Sequence, residues 1–269
     1  MEESIITSTQ NAKVKHVVAL QQKSALRRKE GLFVVEGRRE LMHCVEAGYE
    51  IAECFVLDKL ADLADLADLA PLGSLESLVS LVSPQVYEKM AYRGSTEGVI
   101  AVVRERQRSL EDLQLSVFPL IMVLERVEKP GNLGAVLRSA DAAKADAVII
   151  CDPLTDLYNP NLIRSSIGAI FSVPCVACSS EACITFLKAH GIQILTAQLQ
   201  DSSLYYDTDM LGGTAIVMGT ESTGLTDVWR QAADAHIRIP MLGQLDSLNV
   251  SVSAAILLFE AVRQRNSKK

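Results

Sequence analysis

The chain has 269 residues, 49% apolar and 22% charged, with 15 Gly, 8 Pro and a formal net charge of −7. That composition gives ample material for a packed core and excludes chain-wide disorder; at ~100–200 residues per domain it fits one large domain or two small ones. Taken as a sum, the acidic balance argues against a nucleic-acid partner, because phosphate binding needs positive surface.

The distribution of charge argues differently. Residues 11–40 hold Lys13, Lys15, Lys23, Arg27, Arg28, Lys29, Arg38 and Arg39 against only Glu30, Glu36 and Glu40, a basic window inside an acidic protein. By itself it reads equally well as a solvated helix face. FVVEG (33–37) is a short β run, 38–47 a helix closed by Gly48, and IAECFVL a second strand. SLVSLVS is a third strand, SPQVYEKMAYR a helix capped by Ser83, and EGVIAVV a last strand. This small α/β unit spans 1–104, and the charged stretch 105–117 is the expected linker.

Between them lies an irregular segment. Leucine recurs at every third position from Leu57 to Leu81. Such a stripe would drift round an α-helix of ~3.6 residues per turn, and the period also excludes a coiled coil. A helix over about 59–69, then a turn at Pro71 and Gly73, is the expected structure.

Residues 118–269 alternate strand and helix. PLIMVLE (119–125) is a buried strand, and 132–144 a helix with Asn132 available as its N-cap. AVIICD, VPCVAC (173–178), IQILTA, TAIVMG (214–219) and IRIP follow as strands. NPNLIRSSIGAI, SEACITFLKAHG, a short stretch near 225–234 and NVSVSAAILLFEAVRQR follow as helices. Near-continuous apolar strands separated by helices predict a parallel sheet covered on both faces, with ligands beyond its C-terminal strand ends.

Several familiar chemistries are missing. There is no GxGxxG after a strand, no GxxxxGK[ST], no HExxH and no GxSxG. Cys175 and Cys178 form a lone CxxC, with Cys183 nearby and no suitably spaced His, so the cysteines read as buried structural thiols and no metal is expected. No apolar run approaches the ~18 residues of a membrane span. MEESIITSTQ is too polar for a signal peptide, and six Cys in so long a chain do not suggest a disulfide framework. The expected compartment is the cytoplasm.

Three loops at strand ends carry polar residues that a plain core does not need. EKPGNLGAVLRSA (128–140) places Asn132 at a helix start and Arg138 six residues on, among apolar neighbours, where it needs a partner. MGTESTGL (218–225) sets Glu221 between Gly219 and Gly224. In 239–256 a loop with Ser247 and Asn249 runs into a long helix, and either residue can cap it.

In this order and spacing, the three loops closely resemble the motifs of the TrmH-like (SpoU) branch of the SPOUT RNA methyltransferases. The N-terminal part, with NAKVK (11–15), Arg27, Arg28 and FVVEG (33–37), looks like that family's L30e-like substrate-binding domain. Departures are modest: the family often has Gly where Ser222 stands, and the ADLADLADLA segment matches no part of the family pattern.

The resemblance implies a parallel-sheet domain whose C-terminal segment threads a trefoil knot, a homodimer, and S-adenosylmethionine as cofactor. By position it implies that Gly219, Ile239, Met241, Leu248 and Asn249 line the cofactor pocket. The implied reaction is methyl transfer to a ribose 2′-hydroxyl of RNA, with Arg138 acting on the hydroxyl or an adjacent phosphate. Asn132, Glu221, Ser247 and Asn249 would orient the reactants. With a pKa above ~12 a guanidinium already holds its proton and makes a poor base, so the role implied for Arg138 is to stabilise developing negative charge. Lys13, Lys15, Arg27, Arg28, Arg38 and Arg39 become candidate RNA-phosphate contacts. The N-terminal domain favours large-subunit ribosomal RNA over tRNA, with methylation that confers antibiotic resistance as a related possibility. A non-catalytic knotted RNA-binding or ribosome-assembly protein and a small-molecule enzyme stand as alternatives.

Overall fold

The computed structural model describes residues 5–58, 78–92, 97–220 and 222–267. The helix expected over 59–69 lies outside them, as does Glu221. Contacts divide the chain into two compact units, Met1–Gln107 with Asp156–Ser172, and Arg108–Thr155 with Val173–Lys269. The first therefore ends three residues beyond the expected boundary and also takes in a stretch from the middle of the second pattern.

In the first unit a mixed four-stranded sheet has the order β1-β4-β2-β3, built from β1 (Leu32–Glu36), β2 (Ile51–Leu57), β3 (Val79–Val82) and β4 (Val99–Arg104). The central strand β4 runs antiparallel to both neighbours, and β2 and β3 are parallel. Helices α1 (Ala12–Gln22) and α2 (Ser24–Glu30) precede the sheet; α3 (Arg38–Glu46) and α4 (Pro84–Met90) follow β1 and β3. Asn11 caps α1 through Lys13, and Ser83 caps α4 through Val86. One face buries Val14, Val17 and Leu20 of α1 against Val34, Phe55, Ile100 and Val102. Phe33 stacks on Tyr158 with ring centroids 4.3 Å apart, and Phe171 closes the same aromatic cluster. Tyr158 and Phe171 belong to the returning segment, which carries α6 (Pro160–Ser166) and α7 (Ala169–Ser172). The single helix expected there is broken in two by Ile167 and Gly168, both at positive φ.

The second unit is a seven-stranded sheet in the order β7-β6-β5-β10-β8-β11-β9, parallel throughout. Its strands are β5 (Leu120–Glu125), β6 (Ala147–Cys151), β7 (Cys175–Cys178), β8 (Gln193–Ala197), β9 (Ser203–Leu204), β10 (Thr214–Met218) and β11 (Ala235–Arg238). β5, β6 and β10 are buried along their whole length, which is why they read as unbroken apolar runs. Helices α5 (Pro130–Ala142), α8 (Ser180–Ala189), α9 (Asp227–Ala232) and α10 (Val250–Asn266) complete the layers.

Three details differ from the sequence expectation. Helix α5 starts two residues early, at Pro130, with Lys129 as N-cap, so Asn132 sits inside the first turn. Proline fits the first helical position because its fixed φ is already helical and its missing N–H would have no partner there. β11 ends before Ile239, which turns away from the sheet, and the two-residue β9 has no sequence signal. Although β11 lies three strands from β5, α10 packs against α5, β5 and β10. Residues 239–249 therefore run back across the C-terminal ends of β8 and β10. Among the described residues, no helix is long and apolar enough to cross a membrane.

Candidate active site

The three polar loops converge at the C-terminal edge of the seven-stranded sheet, where parallel strands leave room for a ligand. At the end of β5, Glu125 is only 2% exposed, and its carboxylate accepts the Thr226 N–H at 2.8 Å and the Thr226 hydroxyl at 2.6 Å. This pair ties the strand end to the far side of the glycine loop. At the near side, Thr220 bridges back to Gly224, whose φ is +68°. A side chain at Gly219 would run into the backbone of Gly224 and Leu225, so only glycine lets the loop fold this tightly.

The third loop ends at Asn249, which caps α10: its Oδ1 accepts the Ser251 N–H at 2.9 Å and the Ser251 hydroxyl at 2.6 Å. Of the two capping candidates, Asn249 takes the role, and the Ser247 hydroxyl turns to Asp246. The Asn249 Nδ2 donates to Asn132 Oδ1 at 3.2 Å. First and third motifs are thereby joined beside the second.

Around this junction lie clefts of distinct character. One, lined by Val127, Lys129, Asn132, Gly219, Thr220, Ser222 and Val250, is small and polar-edged. Beside it an open cleft of about 360 Å³ runs past Gln198, Met218, Gly219, Ser222, Ser247, Leu248 and Val250. Its apolar continuation is walled by Met218, Ile237, Ile239, Met241, Leu248 and Leu257. Five of the expected site residues, Gly219, Ile239, Met241, Leu248 and Ser247, thus line connected space; Asn132 lines the small cleft beside it, and Asn249 is tied to Asn132.

Sequence reasoning missed Gln198. Its Oε1 is buried without a hydrogen-bond partner among the described residues, and the residue lines the open cleft and its apolar extension. A buried, unpaired carbonyl oxygen is costly unless a ligand donor meets it. Its only sequence signal is its place just past the end of β8.

Arg138 does not join this cluster. It lies six residues past Asn132, about 9 Å along the helix and about 120° round it, on the solvent face of α5. The expected partner for its guanidinium is not found among the described residues, because its apolar neighbours Val136, Leu137 and Ala140 point inward while it points out.

The basic window divides in the same way. Lys15, Arg28 and Arg39 are exposed and make no ion pair among the described residues. Lys13 is exposed at 3.6 Å from Glu53. Arg38 is held at Glu97 through its backbone N–H and its Nε. Arg27 must be withdrawn as a phosphate contact. It is 4% exposed, paired with Asp156 at 2.6 Å, and donates to the Leu20 and Gln21 carbonyls. A buried arginine with its donors satisfied is part of the architecture.

The thiols are unequal. Burial pushes Cys44 and Cys54 up to about 12. Cys178 is shifted the other way, below the usual thiol range, by hydrogen bonds from Cys151 and then Cys183. The CxxC partner expected from the sequence, Cys175, is not in that group.

The family model described as SpoU rRNA Methylase family matches residues 119–259, and that of the MRM3-like substrate binding domain matches residues 11–101. The 23S rRNA (guanosine-2′-O-)-methyltransferase RlmB of Photorhabdus laumondii is 38% identical over 177 residues, covering 64% of this chain and 72% of its own. A crystal structure of an RNA 2′-O ribose methyltransferase is 39% identical with a TM-score of 0.83, covering 98% of this chain and all of its own. The AdoMet-bound rRNA methyltransferase of Sinorhizobium meliloti is 28% identical with a TM-score of 0.87, covering 97% of each chain. With its three motifs gathered at one sheet edge and its methylase region matched from β5 into α10, the chain belongs to the SpoU rRNA methylase family.

Proposed function

We propose that this protein transfers the methyl group of S-adenosylmethionine to a ribose 2′-hydroxyl of large-subunit ribosomal RNA. The observation that carries this reading is the Asn249–Asn132 hydrogen bond, which holds the first and third motifs together beside the glycine loop. The MRM3-like domain and the relative named as a 23S rRNA methyltransferase favour ribosomal RNA over tRNA.

The residues present fit the cofactor. Ile239, Met241 and Leu248 offer an apolar wall, and Gly219 allows close approach to backbone. The unpaired Gln198 Oε1 suits an amino donor such as that of an adenine. When bound, the cofactor supplies an electrophilic sulfonium methyl. Asn132, Ser247 and Asn249 orient the reacting groups, and we keep Glu221 in that role on its place in the second motif. Arg138 holds the phosphate beside the reacting ribose; a phosphate oxygen takes the hydroxyl proton, and the guanidinium balances the charge that develops.

We also propose a homodimer. Val252 and Phe259 are 47% and 46% exposed, and with Ala255 and Ile256 they form one stripe along α10 at i, i+3, i+4, i+7 spacing. α10 packs against α5, whose solvent face carries Arg138. A second copy covering this stripe would bring Arg138 to the interface, next to substrate. The C-terminal trefoil knot belongs to the same reading, supported by the return of residues 239–249 across the sheet edge.

The deciding experiment offers labelled S-adenosylmethionine with large ribosomal, small ribosomal and tRNA fractions to wild type and Arg138→Ala. Label in the large ribosomal fraction, lost in the variant, is expected. Label confined to tRNA would refute the substrate assignment. Full transfer by the variant would refute the role of Arg138. Cofactor binding without transfer would point to an assembled subunit as substrate.

A further inference from the structure

We propose that Cys151, Cys178 and Cys183 form a three-thiolate site for a soft, closed-shell cation, with copper(I) as the best fit. Nothing in the methyl-transfer site requires these residues. Their three Sγ atoms lie within 4.8 Å of one another. Around one cation with bonds of ~2.3 Å, three sulfurs stand about 4 Å apart, so the group closes on an ion with small side-chain adjustments.

The fold, rather than the sequence, assembles the set. Cys151 ends β6 and Cys178 ends β7, and the parallel register places them directly side by side. Cys183 comes from the first turns of α8, capped by Ser179. Cys151 and Cys183 are fully buried, and Cys178 is partly exposed, which leaves one side open for entry.

Thiolate donors select copper(I) and zinc over hard cations. Zinc prefers four ligands. Among the described residues no fourth His, Cys, Asp or Glu atom joins the group. The nearby Asp152 carboxylate is engaged by the Ser180 hydroxyl at 2.6 Å and by the Ser180 N–H. Three-coordination therefore favours the monovalent ion. Binding forms metal–sulfur bonds and releases the thiol protons to solvent, without electron transfer.

The site has a mechanical reach. Ser180 also accepts the Trp229 indole N–H at 3.0 Å, and Trp229 lies on α9, directly after the glycine loop. An ion at the thiols would brace β6, β7 and α8 together, and with them the platform on which α9 rests.

The test uses the full chain, reduced and held without oxygen. Copper(I) is titrated in competition with a chromophoric chelator, and Zn2+ in a parallel arm. Wild type and Cys175→Ser, a control on the same strand, should each take up one equivalent per chain, with a rise in melting temperature. Cys178→Ser, altered at the most exposed of the three sulfurs, should lose both effects while keeping its S-adenosylmethionine affinity. Copper(I) uptake with that pattern, tighter than that of Zn2+, sustains the site, and preference for Zn2+ overturns the three-coordinate copper(I) assignment. No uptake, or equal uptake by Cys178→Ser and wild type, overturns it.

Discussion

Asn249 spans 117 residues of sequence to donate to Asn132, while its other amide atom caps the closing helix. The two roles can be separated. Asn249→Ser keeps a capping oxygen and loses the reach to Asn132. Asn249→Ala loses both, at a cost of about 1 kcal/mol in stability. Methyl transfer should fall in both variants, while urea unfolding shifts only for the alanine. Equal activity of Asn249→Ser and wild type would show that the bond between the motifs is dispensable.

Glu125 is the buried anchor of the glycine loop. Glu125→Ala strips the acceptor from the Thr226 N–H and should cost about 1–3 kcal/mol. The same variant should loosen S-adenosylmethionine, because the loop between Gly219 and Thr226 loses its far attachment. A double-mutant cycle with Thr226→Val, read by urea unfolding, measures the coupling. Additive losses would mean that the two residues act separately.

Gly219 and Gly243 make a matched pair. A methyl at Gly219 meets the backbone of Gly224 and Leu225, whereas one at Gly243 meets nothing within 4 Å. Calorimetry with S-adenosylmethionine should show binding lost or reduced at least about tenfold for Gly219→Ala and unchanged for Gly243→Ala, a difference of about 1.4 kcal/mol or more.

Much of this architecture is legible in the residues themselves. β2 occupies the IAECFVL run, and Asn249 and Ser83 cap as side chains of their type should. What is hidden depends on distant partners. Arg27 looks like any member of a basic run until Asp156, 129 residues away, is placed beside it. Cys151 joins Cys178 only through strand register, and Gln198 is exceptional only because burial leaves its oxygen unmatched. Ile239 has the look of a strand residue because the wall of a cleft and the core of a sheet favour the same side chains. Arg138 shows the reverse error, since apolar sequence neighbours on a helix do not make a residue's own face apolar.

The basic window should therefore respond unevenly. Neutralising Lys15, Arg28 and Arg39 together should weaken RNA binding and reduce the slope of log K against log salt, by about 0.7–0.9 for each phosphate no longer neutralised. Arg27→Ala should instead destabilise the first unit, leaving the half-buried Asp156 without its partner. Urea unfolding and salt-dependent binding distinguish the two, and an unchanged salt slope in the triple variant would remove these residues from the RNA surface.

The stripe on α10 predicts assembly. Val252→Asp with Phe259→Asp places charge on a face that is otherwise apolar, and sedimentation should show monomers in place of dimers. Because both side chains are about half exposed in the single chain, the variant should still fold, with an unfolding midpoint that no longer depends on protein concentration. A monomeric wild type would count against the dimer directly.

The segment Asp156–Ser172 sets an order of events during synthesis. Phe33 and Tyr49 leave the ribosome early, yet the rings that complete their cluster are Tyr158 and Phe171. Arg27 likewise waits for Asp156. The N-terminal unit thus cannot finish folding when its own strands have emerged; it needs chain made after β5, α5 and β6. Nascent chains halted before residue 156 would carry an uncovered aromatic face and an uncompensated buried arginine, the state in which a growing polypeptide most needs a chaperone.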